Sequence, residues 1–327
     1  MSNSPSLTDI QAARGLLGGL IRLTPCIEVR PGELGSDPDF GSTLVFKLEL
    51  FQMTGTFKPR GALCVMLDLS AAERARGVTA VSAGNHAVAV AYAARVLGTT
   101  AKIVMMQSAN PARVRLARGY GAEIEFSPDG SSAFARAKEI ETSEGRTFVH
   151  PFEGPRTVTG TGTVGAELCE QAEPLDALVV AVGGGGLISG VAAAVKQHSP
   201  RTRVYGVEPV GADSMTRSFA AGHPVTLSSV STIADSLAPP MATPYTFAVC
   251  REFVDRMVLI DDDAMRRTMG VLFRDLKLCV EPAGAAALGP LRSELQDGQR
   301  VGIIVCGSNI DLATFCSLTG STTAATP

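Results

Sequence analysis

The chain has 327 residues, 45% of them hydrophobic, which is enough to bury a large core in one elaborate or two interleaved domains. Its 29 basic and 32 acidic residues leave a formal charge of -3, and no Lys/Arg cluster tracks a phosphate backbone, so nucleic acid is not an expected partner. Seven cysteines (Cys26, Cys64, Cys169, Cys250, Cys279, Cys306, Cys316) are scattered without metal-type spacing, and no basic segment precedes an apolar run at the N-terminus; a reducing cytoplasm is the expected location.

In chain order, Thr8 is placed to cap a first helix with an apolar face of Ile10, Ala13, Leu16, Leu17, Leu20 and Ile21. Gly18 and Gly19 weaken that helix and Thr24-Pro25 ends it. Short β-branched runs then alternate with Ala-rich helical stretches. Strands are expected over 43–48, 78–82, 102–106, 123–126, 178–182, 204–207 and 301–305. Helices are expected over 61–69, 87–97, 112–120, 132–142 and 188–197. This alternation predicts an α/β fold of right-handed βαβ units around mostly parallel sheets flanked by helices. The stretch 177–195 is nearly free of polar side chains, but glycines 183–186 at its centre favour strand, loop and helix start over a membrane span. The Thr/Ser/Ala-rich tail 319–327 reads as disordered.

In parallel sheets, ligands sit beyond the carboxyl ends of the strands. Ser82-Ala83-Gly84-Asn85-His86, Gly183-Gly184-Gly185-Gly186 and Cys306-Gly307-Ser308-Asn309 each follow an expected strand, which points to one cleft. The tetraglycine, set before a helix, presents backbone N–H groups at a positive helix end and reads as an anion site, with a tight packing turn as the alternative. Gly160-Thr161-Gly162-Thr163-Val164-Gly165 matches the dinucleotide fingerprint and keeps a nicotinamide dehydrogenase as a rival. However, Pro155-Arg156-Thr157 before it reads as loop, and no acidic residue stands about 20 positions beyond Gly165. Lys58 lies between Phe57 and Pro59; buried there it would have a lowered pKa and could form a Schiff base, whereas an ordinary surface lysine is the alternative.

The segments Thr54 to Ala62, Ser82 to His86, His150 to Gly165, Gly183 to Gly186, Tyr205 to Pro209, Glu281-Pro282-Ala283-Gly284-Ala285 and Gly307-Ser308-Asn309 resemble, in the same order, the serine/threonine dehydratase and serine racemase family. These are fold type II pyridoxal-phosphate enzymes. The resemblance implies two open, mostly parallel sheets, a large domain of residues 1–75 and 151–327, and a small domain of residues 76–150. It also implies an amino-acid substrate and a homodimer, with no appended regulatory domain.

Position by position, the resemblance makes Lys58 the Schiff-base lysine and catalytic base. Phe57 would flank the cofactor ring, Asn85 would bond the ring hydroxyl, Gly183 to Gly186 would hold the phosphate, and Glu281 would lie at the cofactor. Ser82, Ala83, Gly84, Asn85 and His86 look like the clamp on the substrate carboxylate, His86 being a buttress rather than a base. Cys306 occupies the place facing the pyridine nitrogen; a thiol does not protonate that nitrogen, which suits elimination better than transamination. A plain buried strand-end cysteine is the alternative.

The implied reaction removes water from an L-β-hydroxy amino acid, giving a 2-oxo acid and ammonia. Ala83 stands where serine racemases carry a proton-moving serine, which disfavours racemisation. Phe152 stands where racemases have asparagine, Ala133 near where they have a ligand-contacting arginine, and Ser236 where a glycine is usual. Threonine-like substrates are expected first, with serine and bulkier ones such as phenylserine open. Glu208, Ala212 and Ser214 match a stimulatory cation site in which Ser214 replaces aspartate, so a divalent cation, K⁺ or no ion all fit.

Overall fold

The structure, a computed structural model, describes residues 4–34, 41–290 and 296–320. Its strands are β1 (Cys26–Val29), β2 (Thr43–Lys47), β3 (Val78–Val81), β4 (Ala101–Met106), β5 (Glu123–Ser127), β6 (Thr147–Phe148), β7 (Ala177–Ala181), β8 (Arg203–Pro209), β9 (Arg256–Ile260) and β10 (Arg300–Ile304). They form two sheets. One is six-stranded, in the order β1-β2-β10-β7-β8-β9, and parallel except where β1 meets β2. The other, β5-β4-β3-β6, is four-stranded, wholly parallel, and takes every strand from between Val78 and Phe148. Leu178, Val179 and Val180 of β7 are buried, as continuous apolar runs are when helices cover both faces of a parallel sheet.

The helices are α1 (Leu7–Leu17), α2 (Lys58–Leu67), α3 (Ala71–Arg76), α4 (Asn85–Val96), α5 (Pro111–Gly119), α6 (Gly130–Glu144), α7 (Pro155–Gln171), α8 (Gly186–His198), α9 (Ser214–Ala221), α10 (Pro244–Phe253), α11 (Asp262–Leu276), α12 (Pro282–Ala285) and a last helix, Leu312–Gly320. The expected strand and helix alternation is present throughout, but the first helix differs. Ser6, not Thr8, caps α1: its hydroxyl accepts from Asp9 N while the Asp9 carboxylate accepts from Ser6 N, a reciprocal box that satisfies donors Thr8 would leave open. The helix stops at Leu17, and Leu16 is 62% exposed rather than part of the apolar face. Thr319 and Gly320 of the expected disordered tail close the last helix; residues 321–327 lie outside the described residues.

The largest correction concerns 155–165. Pro155-Arg156-Thr157 is the first turn of α7, with Pro155 at its start, where a fixed φ and a missing N–H cost nothing. The three fingerprint glycines lie inside that helix. A Cβ on Gly160 would sit 2.4 Å from Arg60 O, one on Gly162 2.8 Å from Ile10 Cδ1, and one on Gly165 2.7 Å from Val191 O. They are there so that α7 can lie directly against α2, α1 and α8, which overrides their poor helix propensity. The dinucleotide reading falls with this, because no phosphate-binding turn exists at these residues.

That packing fixes α2, whose first residue is Lys58. Arg60, fully buried, gives Nε to Glu49 Oε2 at 2.8 Å and Nη1 to Glu167 Oε1 at 2.7 Å, and buried Lys47 gives Nζ to Glu167 Oε2 at 2.7 Å. The two cations and two carboxylates cancel within the core. Arg60→Met leaves two carboxylates facing one lysine, and breaking such a buried set costs about 3–5 kcal/mol. Urea unfolding at pH 7 is expected to show a loss of that size.

Candidate active site

The segment that carries Lys58 is strapped to the loop after β10. Phe57 N donates to Cys306 O at 3.2 Å and Ser308 N to Gly55 O at 3.0 Å, and Asn309 Nδ2 donates to Thr54 O at 2.8 Å. Thr54 adopts φ 68, a left-handed conformation that non-glycine residues avoid and that gathers at functional sites. Lys58 is half-buried, with Nζ donating to Pro151 O at 2.6 Å and lying 5.1 Å from the centroid of the Phe57 ring. Burial brings its pKa down to about 8, against the opposing pull of Cys306 and Glu281. The lysine is therefore not an ordinary surface one.

Beyond β3, Ser82 Oγ accepts from Gly84 N at 3.0 Å, bending the chain into α4. Asn85 follows, buried, with Nδ2 donating to Glu281 Oε1 at 2.7 Å and to Ser236 Oγ at 3.1 Å, and Oδ1 accepting from Asn309 Nδ2 at 2.9 Å. These bonds join the loop after β3 to the loop after β10, so the expected convergence is real even though the two strands belong to different sheets. The N–H groups of Ala83, Asn85 and His86 donate to no other protein group among the described residues. His86 is buried, its Nε2 bonded to Val149 O at 2.8 Å. Burial, with Lys58 nearby, lowers its pKa to about 3, so it is a neutral buttress.

The tetraglycine loop runs from β7 into α8. Gly185 has φ +85, and a Cβ on Gly184 would lie 2.3 Å from Phe152 Cγ, one on Gly186 2.7 Å from Phe152 O, and one on Gly183 3.0 Å from Ser236 O. Tight packing and anion binding are thus not alternatives here; both require glycine. Among the described residues, none of the N–H groups from Gly183 to Ile188 donates to a protein acceptor, and Gly184 to Ile188 are buried. Unsatisfied buried donors at a helix start call for an anion with several acceptor oxygens.

Cys306 is buried, its Sγ directed at Ala283 O at 3.3 Å, and burial drives its pKa far up, so the thiol keeps its proton. Glu281 is buried and pushed up to about 7 by burial, Arg113 opposing the shift. The donor set fits a phosphorylated aromatic aldehyde: orphaned N–H groups for the phosphate, an amine of low pKa for the aldehyde, and Phe57 beside that amine.

Glu208, Ala212 and Ser214 stand apart at the end of β8. Glu208 Oε1 accepts from Met215 N at 2.8 Å and Oε2 from Thr216 N at 2.7 Å, capping α9. Burial raises the Glu208 carboxyl to about 7, and among the described residues the buried Ser214 Oγ has no hydrogen-bond partner. Among the described residues, no cluster of three or more His, Cys, Asp or Glu side chains is arranged to hold a metal ion, and no helix is long and apolar enough to cross a membrane.

Sequence reasoning missed Pro151 O, whose role belongs to its backbone and leaves no signal in residue type. It also missed Arg113 and Asp235, which meet across the site from positions 122 residues apart. Ser236 stands out in the sequence only as a departure from a usual glycine, and its hydroxyl is a hydrogen-bond partner of Asn85.

The pattern defining the pyridoxal-phosphate dependent enzymes matches residues 18–307. A phenylserine dehydratase from Ralstonia pickettii is 50% identical over 95% of each chain, and a serine racemase from Oryza sativa subsp. indica is 38% identical over 93% of this chain and 91% of its own. The structure of maize serine racemase superposes with a TM-score of 0.90 at 34% identity, covering 98% of both chains. Glycine cradle, lysine and fold therefore have one explanation: the chain belongs to the pyridoxal-phosphate-dependent enzyme family, with the two-sheet architecture of its fold type II members.

Proposed function

We propose that this enzyme eliminates water from an L-β-hydroxy amino acid, releasing a 2-oxo acid and ammonia. The observation that carries the reading is Lys58, a half-buried amine with a pKa of about 8, bonded to the carbonyl beside the Phe152 that packs on Gly184. When bound, the pyridoxal group supplies an aldehyde carbon for the substrate's amine and a sink for the electron pair left at Cα. Gly183 to Gly186 would hold its phosphate through their N–H groups, Phe57 would flank its ring, Asn85 would bond the ring hydroxyl with Glu281 orienting Asn85, and Cys306, its thiol protonated, would face the ring nitrogen. The N–H groups of Ala83, Asn85 and His86 take the substrate carboxylate, aided by the positive end of α4. Lys58 Nζ would remove the α-proton, Pro151 O accepting a hydrogen bond from the ammonium that results, and that proton would then go to the departing β-hydroxyl so that water leaves. Ala83 offers no proton to the opposite face of Cα, which favours elimination over racemisation.

A specific observation favours a β-aryl substituent on the substrate. The Phe152 ring meets His150 edge-on at 4.7 Å, and His150 meets Phe148 at 5.9 Å and Phe134 at 6.4 Å. Burial lowers the His150 pKa to about 4, so this aromatic wall is uncharged, and Ala133 beside Phe134 is buried and adds no charge. The relative named for phenylserine supports the same choice. The test is kcat/KM for L-threo-3-phenylserine, L-threonine and L-serine. Phenylserine is expected to lead, and Phe152→Asn to cut its advantage by about tenfold or more. Oxo acid from none of the three would contradict the dehydratase reading.

Residues 76–150 are proposed to act as a small domain, supported by the separate sheet formed between Val78 and Phe148, against a large domain of 1–75 and 151–327. A homodimer follows from the family resemblance alone and is tested by a sedimentation mass of twice 34.0 kDa. At Glu208, Ala212 and Ser214 the support for a cation is the unpartnered Ser214 hydroxyl beside a buried carboxylate. With that carboxylate already committed to α9, a weakly held monovalent ion fits better than Mg²⁺ or Ca²⁺. Replacing Na⁺ by K⁺ is expected to raise the melting temperature and activity while chelator changes neither; indifference to both would remove the site.

A further inference from the structure

We infer that Arg113 is a positioning residue that fastens the Ser82–His86 loop across the site and thereby sets how tightly the amino acid's carboxylate is held. This rests on the reading of that loop as the carboxylate clamp.

Arg113 is the third residue of α5, and its side chain is only 7% exposed. Nε donates to Asn309 O at 3.2 Å, Nη2 to Glu281 Oε2 at 3.4 Å and to Asp235 Oδ1 at 3.3 Å, and Nη1 pairs with the other Asp235 oxygen. All three acceptors come from the part of the chain that carries the six-stranded sheet. The guanidinium and the loop it touches come from the part that carries the four-stranded one. A Cβ on Gly84 would lie 3.2 Å from Nη1, so glycine leaves room for the guanidinium beside the loop.

A second link keeps α5 in register: Asn110 Oδ1 caps the helix through Ala112 N at 2.8 Å while its Nδ2 donates to Asp311 Oδ2 at 3.0 Å. The residue after Asp235 reaches both anion cradles. Ser236 Oγ takes Asn85 Nδ2, and Ser236 O lies 3.0 Å from where a Gly183 Cβ would be. A planar five-donor fork can hold Asp235, Glu281 and Asn309 at once; an ammonium cannot match that geometry. Arg113 has no bond to Lys58 among the described residues, so it acts on binding rather than on the proton.

The test uses the cofactor-loaded enzyme and its variants Arg113→Met, Arg113→Lys and Asp235→Asn. Each is titrated with L-alanine, which has the amine and carboxylate but no leaving group, while the cofactor absorbance is followed. KM and kcat are measured for the substrate the enzyme dehydrates. Arg113→Met is expected to weaken L-alanine binding about tenfold or more, the scale of a lost charge-assisted bond. KM should rise in parallel, with kcat and cofactor affinity near wild type, and Arg113→Lys should restore only part of the binding. Asp235→Asn, at a side chain 61% exposed where water can replace the lost charge, should shift both constants in the same direction by less.

Unchanged L-alanine binding and KM with only a lower melting temperature would overturn the inference, as would a fall in kcat at constant KM. If Arg113→Met does not fold, Asp235→Asn decides: weaker binding supports the fastening role and unchanged binding overturns it. A wild-type enzyme that releases no oxo acid would sink the dehydratase reading, yet the L-alanine titration would still decide the role of Arg113.

Discussion

Replacing Lys58 by Ala is expected to lower 2-oxo acid release by about 10³-fold or more, the upper part of what a positioned base contributes, and to leave a purified protein without its yellow colour. Both losses would follow from one atom, because Nζ is proposed as both the amine that takes the aldehyde and the base that takes the α-proton. A yellow, active variant would place the base elsewhere. The same group makes a separate prediction for stability without cofactor. Lys58 has a folded-state pKa of about 8 against an ordinary 10.5, so at pH 7 the fold holds an ammonium that burial disfavours. The cost is full below pH 8 and vanishes as the pH rises through 10.5. Lys58→Met should therefore stabilise the cofactor-free protein by about 1–3 kcal/mol at neutral pH, and by nothing above pH 10.5. A Met variant no more stable than wild type at pH 7 would argue that the amine is better solvated than its surroundings suggest.

Gly184→Ala is expected to abolish tight cofactor binding and to cost about 1–3 kcal/mol of stability, as overpacking does. The added methyl would stand 2.3 Å from Phe152 Cγ, and neither that ring, wedged edge-on against His150, nor the start of α8 can move without disturbing the N–H array. A cycle with Phe152→Ala tests the cause: relieving the clash should recover stability in the double variant, a coupling expected between residues in contact. Additive losses would show that the strain lies in the loop backbone instead.

The alternation of β-branched and Ala-rich segments made most of the fold legible, because strands such as Leu178 to Val180 and helices such as α4 are set by local pattern. The expected elements also leave out β1, β9, α3 and α9 to α12, and the element the pattern hid most completely was α7. Thr and Gly are poor helix formers in isolation, and only the closeness of α1, α2 and α8 explains why Gly160, Gly162 and Gly165 are in a helix. The short β6, Thr147–Phe148, is too brief to show a period at all. At the site, the tetraglycine and the Asn85 and Cys306 loops could be singled out because glycine runs and strand ends have chemical meaning of their own, whereas Lys58 stands out from an ordinary surface lysine only through the family resemblance. The ties between them could not: the Asn85–Glu281 bond and the Arg113–Asp235 pair join residues far apart in sequence, and Arg113 and Asp235 are ordinary polar residues until the fold brings them together across the cleft.

On the proposed reading, this site expels a β-hydroxyl after taking the α-proton from one face only. The most direct measurement is the full product balance from L-serine on the cofactor-loaded enzyme: pyruvate, ammonia and D-serine recorded together. Pyruvate and ammonia in equal amounts, with D-serine absent, is the predicted result; D-serine accumulating without pyruvate would contradict it and show that a proton reaches the face that Ala83 leaves unserved.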